Sequence, residues 1–334
     1  MERTLLVGTA AGLFEARGNG GAYEMRPLGL QGKGFVAVIA DYKDPRRLYA
    51  GTGKGGVFRS DDNGATWQDI TGTILYKPIF SVAQHPRTGE LYVGTEPSSV
   101  FKSTDGGDTW VDCEHLKTLP TTREWTFPNP PHVSHVKEIA LLADDPSRIF
   151  CAVEEGWLLR SNDGGKTWEN IQDGVDFDSH SVVYMPDNPQ VIIACTGQGM
   201  FRSTDGGDHF VDANQGLNRR YLAPIVVRPD NPKVLYAAAS QGVPPMWFSR
   251  PQGADAGFYR SENQGVSWEE LRGGVNDVIQ GAPRCMAVDA EHPDTMFVGT
   301  AIREGSVWMT ENGGESFRQI LGPLPPVRSV LVRQ

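Results

Sequence analysis

One eight-residue pattern, present six times, constrains this chain more than any other feature. Its cleanest copy is Ser103-Thr104-Asp105-Gly106-Gly107-Asp108-Thr109-Trp110. Ser60–Trp67 and Ser161–Trp168 keep every key position, and Ser203–Phe210, Ser261–Trp268 and Thr310–Phe317 are worn copies of S-x-D-x-G-x-[ST]-[WF]. The chemistry of the pattern is that of a turn. A short carboxylate or amide accepts hydrogen bonds from the backbone just ahead of it and folds the chain over. The glycine two residues on tolerates the left-handed conformation such a turn needs. The aromatic residue that ends the pattern anchors the returning strand in a core. The acidic residues are therefore read as scaffold, not as catalysts or metal ligands.

A chain of 334 residues could hold two domains by length, but repeats override that prior, and residues 1–334 are read as a single domain. Hydrophobic content of 39% with 39 glycines and 23 prolines suits short strands joined by many turns. A net charge of −10 argues against a nucleic-acid partner, which would need a basic face. No apolar run approaches the roughly 20 residues of a membrane span, so no membrane partner is expected. Met1–Gly8 is too short an apolar patch for a signal peptide, and Val7-Gly8-Thr9 recurs as repeat sequence; a cytoplasmic location is the expectation. Cys113, Cys151, Cys195 and Cys285 are scattered singly with no C-x-x-C, as reduced core residues would be.

Before each turn lies a β-prone segment: Leu48–Thr52, Leu91–Thr95, Ile149–Val153, Val191–Cys195, Leu235–Ala239 and Met296–Thr300, with Leu5–Thr9 as a seventh copy. Upstream of these lies a further strand, often ending in D-x-P: Ala37–Ala40, Ser81–Gln84, Glu138–Leu141, Ser181–Tyr184, Pro224–Val227 and Cys285–Val288. The seventh copy of this strand, Ser329–Val332, stands at the C-terminal end, while the first repeat lacks one. Where the first repeat should carry its turn there is only Gly18–Tyr23, without the acidic position.

The eight-residue unit resembles the Asp-box, or BNR repeat, of the sialidase-like β-propellers, and the resemblance spans essentially the whole chain. It implies an all-β, seven-bladed β-propeller of four-stranded antiparallel blades. The spare C-terminal strand would complete the N-terminal blade and close the ring, protecting edges that would otherwise be exposed. Two steps between turns are longer than the rest by about fifteen residues, because of insertions at Cys113–Pro131 and Gln241–Gly257. In a propeller both would emerge on one rim, and long loops gathered on one face of a rigid scaffold are where function usually sits.

The residues just before the seven inner strands are Val36, Phe80, Lys137, His180, Ala223, Arg284 and Arg328, four of them cationic or titratable to a cation. With His132, His135, Asp178, Arg219, Arg220 and Tyr221 in the lead-in segments, and Glu154, Glu155, Arg303 and Glu304 in the facing loops, they should ring the channel mouth. Basic groups gathered at a concave point of an acidic protein suit an anionic small molecule; solvated strand-start charges are the plainer alternative. His132, His135 and His180, with Glu154 or Glu155, form a candidate divalent-metal set, against which stands the reading of ordinary hydrogen-bonded histidines. His85, His209 and His292 are expected to be structural.

The leading expectation is a hydrolase or lyase acting on an anionic small molecule. His135 or His180 would be general base or metal ligand and Glu154 acid/base or ligand. Lys137, Arg284 and Arg328 would hold the anion, with Tyr221, Trp247 and Arg250 as further substrate contacts. The resemblance also admits a non-catalytic scaffold or assembly factor that binds another protein, and a sialidase-like glycoside hydrolase. Sialidases carry an F/Y-R-I-P motif near the start. Val7-Gly8-Thr9-Ala10 stands there instead, so no sialidase catalytic role is carried over.

Overall fold

The computed structural model describes residues 2–275, 278–302 and 304–333. Seven four-stranded antiparallel sheets follow one another around a ring. Blade 1 is built from both ends of the chain: Val327–Arg333 is its innermost strand, followed outward by Glu2–Thr9, Gly12–Asn19 and Ala22–Gly29. Gly8 pairs with Ser329 and Leu5 with Val332, so the C-terminal strand closes the ring as expected. Blades 2 to 7 begin with the inner strands Phe35–Ala40, Ile79–Gln84, His135–Leu141, Ser179–Met185, Tyr221–Val227 and Ala282–Val288 and run outward in chain order.

The repeated turn forms as its chemistry dictates. In blade 3 the Ser103 hydroxyl donates to Asp105 at 2.8 Å and accepts from the Gly107 amide at 2.9 Å, while the Thr109 amide donates to Asp105 at 2.9 Å. Gly107 sits at φ +91°, which an L side chain rarely adopts. Trp110 then donates its indole N–H to the Ile70 carbonyl of the preceding blade at 2.8 Å. Trp67 does the same to the Leu28 carbonyl at 2.9 Å, so these two turns tie neighbouring blades together. In blade 1 the lost turn is replaced by a two-residue hairpin, with Asn19 paired to Ala22.

The core is not one mass. Among the described residues it is seven apolar layers, one between each pair of neighbouring sheets, with a smaller eighth cluster of Tyr221, Trp247, Ala254 and Ala282. Close packing explains the glycine of the Leu91–Thr95 strand: a Cβ on Gly94 would come within 2.7 Å of Val136 in the next blade.

One expectation needs correction. The inner strands start earlier than the sequence pattern suggested, His135–Leu141 in place of Glu138–Leu141 for example. In every blade a bulge interrupts the alternation of inward and outward residues near the strand's start. Only the stretch beyond the bulge keeps the period-two signature that identifies a strand.

Candidate functional site at the channel mouth

The bulges create the site. Six leave one residue of the inner strand without a partner, Val36, Phe80, Lys137, His180, Arg284 and Arg328, and the bulge of blade 6 leaves two, Ala223 and Pro224. A bulge re-aims the residue it leaves unpaired. All seven positions line one central cavity of about 350 Å3. Equivalent positions in a ring converge, so residues far apart in sequence become neighbours here.

Blades 4 and 5 supply a network of paired charges. The His135 ring is stacked on Phe80 with centroids 3.7 Å apart, and Phe127 of the first insertion meets it edge-on at 5.1 Å. His135 Nε2 donates to Glu154 Oε2 at 2.8 Å, and Lys137 Nζ contacts the same oxygen. Burial alone would push the Glu154 carboxyl up, but Lys137, the hydrogen bond from His135 and the nearby His180 outweigh it and hold the group well below the usual carboxylate range. The loop that carries Glu154 is pinned across the blade boundary, with the Gly156 and Trp157 amides donating to the Phe177 carbonyl. That contact brings Glu154 to Asp178 and His180. His180 is 1% exposed; its Nδ1 lies 2.5 Å from the Leu222 carbonyl, and its Nε2 lies 3.1 Å from Asp178 Oδ1 and 3.9 Å from Glu154 Oε1. The Asp178 contact is off-line for a hydrogen bond, and His180 Nε2 has none. Glu155 and Asp176 stand close by, and burial together with the surrounding carboxylates raises both.

Blades 7 and 1 look different. Arg284 lies with its guanidinium carbon 5.9 Å from the centre of the Trp247 ring. Arg328 is exposed within the channel; partial desolvation and the neighbouring Arg284 hold its guanidinium below its ordinary value. Among the described residues, no carboxylate pairs with either arginine. Tyr221 bridges the two sides, tilted against His180 at 4.6 Å and edge-on to Trp247 at 5.0 Å, and burial keeps its phenol protonated well above the ordinary range.

Other expected site residues fall elsewhere. His132 is exposed, at φ +63°, with Nδ1 turned to the Phe127 carbonyl at 3.0 Å, so it does not join His135 and His180. His132 lies outside the inner strand, which begins at His135. Trp247 is fully buried, its indole donating to the Gln241 carbonyl at 3.0 Å, and its ring packs against Tyr221 and lies under Arg284. Arg250 donates to the same carbonyl at 3.3 Å, outside the central cavity. Glu304 is exposed and lines a separate cleft beside Trp308. Arg303 lies outside the described residues. His85 is buried at a corner of the opposite face and bonds the Leu142 carbonyl at 2.9 Å, a structural role as expected.

Sequence reasoning placed Asp178 near the mouth but gave it no ligand role. Its signal was available: in Asp178-Ser179-His180 the two functional side chains are two apart, the spacing that puts residues on one face of an extended segment. Glu138 was taken only as the start of a strand. It lines the central cavity, and burial raises its carboxyl to about 7.

The chain is similar to known proteins in fold. A family model described as Sortilin-Vps10 (sortilin, neurotensin receptor 3) matches residues 156–278. No curated protein matches the chain. Among solved structures, the GH74 xyloglucanase of Xanthomonas campestris superimposes with a TM-score of 0.68 at 16% identity, over 99% of this chain and 52% of that one. The GH74 enzyme of Niastella koreensis gives 0.64 at 20% identity, over 94% of this chain and 46% of that one. The chain thus spans about half the length of these enzymes. YCF48 bound to D1 peptide gives 0.57 at 16% identity, over 86% and 81% of the two chains. At such identities the likeness shows the β-propeller fold, which proteins of quite different function share.

Proposed function

We propose that this chain acts as a single propeller domain and is an enzyme of hydrolase or lyase type, taking an anionic small molecule at the channel mouth. The observation that carries this reading is the pair Arg284 and Arg328: two guanidiniums at equivalent bulges, close enough for one to act on the other, with no carboxylate partner among the described residues. Like charges held together cost free energy that an anion relieves. The cavity of about 350 Å3 lies within the range of small-molecule sites. Lys137, which lines the same cavity, contacts Glu154, and the hydrogen-bonded pair His135 and Glu154 behind it would serve proton transfer. Four free cysteines suit a cytoplasmic setting. A sialidase-like glycosidase is the narrower form of the proposal, supported by the adjacent arginines and by the GH74 neighbours, which are glycoside hydrolases by name. The burial of Tyr221 weighs against its use as a nucleophile.

The test is thermal stabilisation by phosphate, sulfate and a panel of small carboxylates and sugar acids. A saturable upward shift in Tm, lost in Arg284→Ala and Arg328→Ala, is expected. A response that both variants retain would overturn the reading.

A second reading, a scaffold that holds another protein, has one observation in its favour. The short helix Pro244–Ser249 on the second insertion presents Met246 and Phe248, the latter 62% exposed, beside the mouth. Substituting Phe248 by Ser leaves the anion response unchanged if the enzyme reading holds.

A further inference from the structure

We infer that Glu154, Asp178 and His180 form a binding site for one divalent first-row metal ion, opening into the central channel. This deepens the proposed function by supplying a Lewis acid beside the anion, and it rests on that reading for its use but not for its geometry.

His180 Nδ1 lies 2.5 Å from the Leu222 carbonyl oxygen. A carbonyl oxygen only accepts, so Nδ1 carries the proton, and in the neutral ring Nε2 presents a lone pair. That lone pair is buried, has no hydrogen-bond partner, and faces Asp178 Oδ1 at 3.1 Å and Glu154 Oε1 at 3.9 Å. The three ligand atoms lie within 4.8 Å of one another. Three electron-rich atoms turned toward one point repel unless a cation sits among them.

The surroundings are those of a metal site. Metal-binding imidazoles commonly donate their other nitrogen to a backbone carbonyl, which sets tautomer and ring orientation; here Leu222 accepts that bond. Glu154 is oriented in the same way, because its Oε2 is occupied by His135 and Lys137, leaving Oε1 to point at His180. Asp178 is held by its backbone, whose amide donates to Asp176 Oδ1 at 3.0 Å and whose carbonyl accepts from Gly197 at 2.9 Å. Glu155 and Asp176 stand nearby, and Lys137 contacts Glu154 from the channel side. One imidazole and two carboxylates suit Zn2+ or Mn2+ better than the all-oxygen shells of Ca2+ and Mg2+. Three protein ligands leave coordination positions free, as a catalytic site requires. Of the expected set it keeps His180 and Glu154; Asp178 stands in place of His132, which is turned to its own loop, and His135 orients Glu154 and is not a ligand.

The experiment uses the full chain, stripped with a chelator and titrated with Zn2+, Mn2+ and Mg2+ separately in an isothermal calorimeter. One equivalent of Zn2+ or Mn2+ is expected, with Mg2+ much weaker. Asp178→Asn, nearly isosteric and half-buried, should weaken that binding at least about tenfold, and His180→Gln should do the same, while His132→Ala leaves it unchanged. Absence of saturable Zn2+ or Mn2+ binding, or binding that survives Asp178→Asn and His180→Gln in folded protein, overturns the site. The phosphate and sulfate response of the stripped protein is read alongside. Metal binding without an anion response sustains the metal site and removes the anion reading; an anion response without metal binding does the reverse.

Discussion

The two sides of the channel mouth are built from the same device and end in opposite electrostatic states. On blades 4 and 5 the bulge residues Lys137 and His180 meet carboxylates, because the loop of blade 4 delivers Glu154 and the lead-in to blade 5 delivers Asp178. On blades 7 and 1 the bulge residues Arg284 and Arg328 meet each other and the face of Trp247. A cation's position on the ring is therefore not what makes it available to a ligand. Availability depends on whether the facing loop brings a carboxylate. The paired side is suited to proton transfer or metal binding, and the unpaired side to holding an anion.

Removing one wall is the harshest way to break the comparison. Deletion of residues 327–334 takes away Arg328 and with it the inner strand of blade 1, leaving Glu2–Thr9 as an exposed edge. Loss of the cooperative unfolding transition is expected; a truncated protein that melted like the intact one would show that closure contributes little.

Glu154→Gln attacks the paired side alone. It leaves Lys137 beside a neutral amide and gives His135 a weaker, uncharged acceptor, and breaking a buried ion pair costs about 3–5 kcal/mol. Chemical denaturation should show a loss of that order. The pH dependence follows from the depressed carboxyl: the stabilisation is present above the unfolded value near 4.5 and is lost as pH falls below it. The variant should lack that acid-side loss.

Glu138 gives the opposite sign and a smaller effect. Its carboxyl is raised to about 7 by burial, so the folded state favours the proton, and stability falls as pH rises from about 4.5 through 7. The full loss is roughly 3 to 3.5 kcal/mol, from the shift between those two values. Glu138→Gln should flatten stability across this window; a profile identical to the parent's would show that water reaches the carboxyl freely.

Asp105→Ala tests whether the repeated turn acts apart from the mouth. It removes the acceptor of the Thr109 amide and hydroxyl. A drop in Tm of a few degrees is expected, with the phosphate response of the folded protein unchanged. The smallest effect belongs to Arg284→Ala. With no ion pair to lose, it should alter stability by less than about 0.5 kcal/mol while removing anion stabilisation, so stability and binding separate on this side and move together at Glu154.

The repeated turn, the strand count and the closing strand could all be read from the sequence, because each depends on local chemistry that recurs in register: a carboxylate bonding its own turn, a glycine at positive φ, an apolar strand before it. The ring of bulge positions could also be read, as residues at one place in each repeat. What the sequence could not carry was the direction and partner of each side chain. His132 and His135 are three apart, yet one turns to its own loop and the other stacks on Phe80 of the neighbouring blade. Trp247 sits in an insertion with the composition of a binding loop, yet it is fully buried against Tyr221. Asp178 meets Glu154 only because the Phe177 carbonyl accepts two amides from the blade 4 loop. The contacts of His135 with Phe80 and of Asp178 with Glu154 cross blade boundaries, and the distance between blades is set by the apolar layers packed between them, which no single repeat encodes.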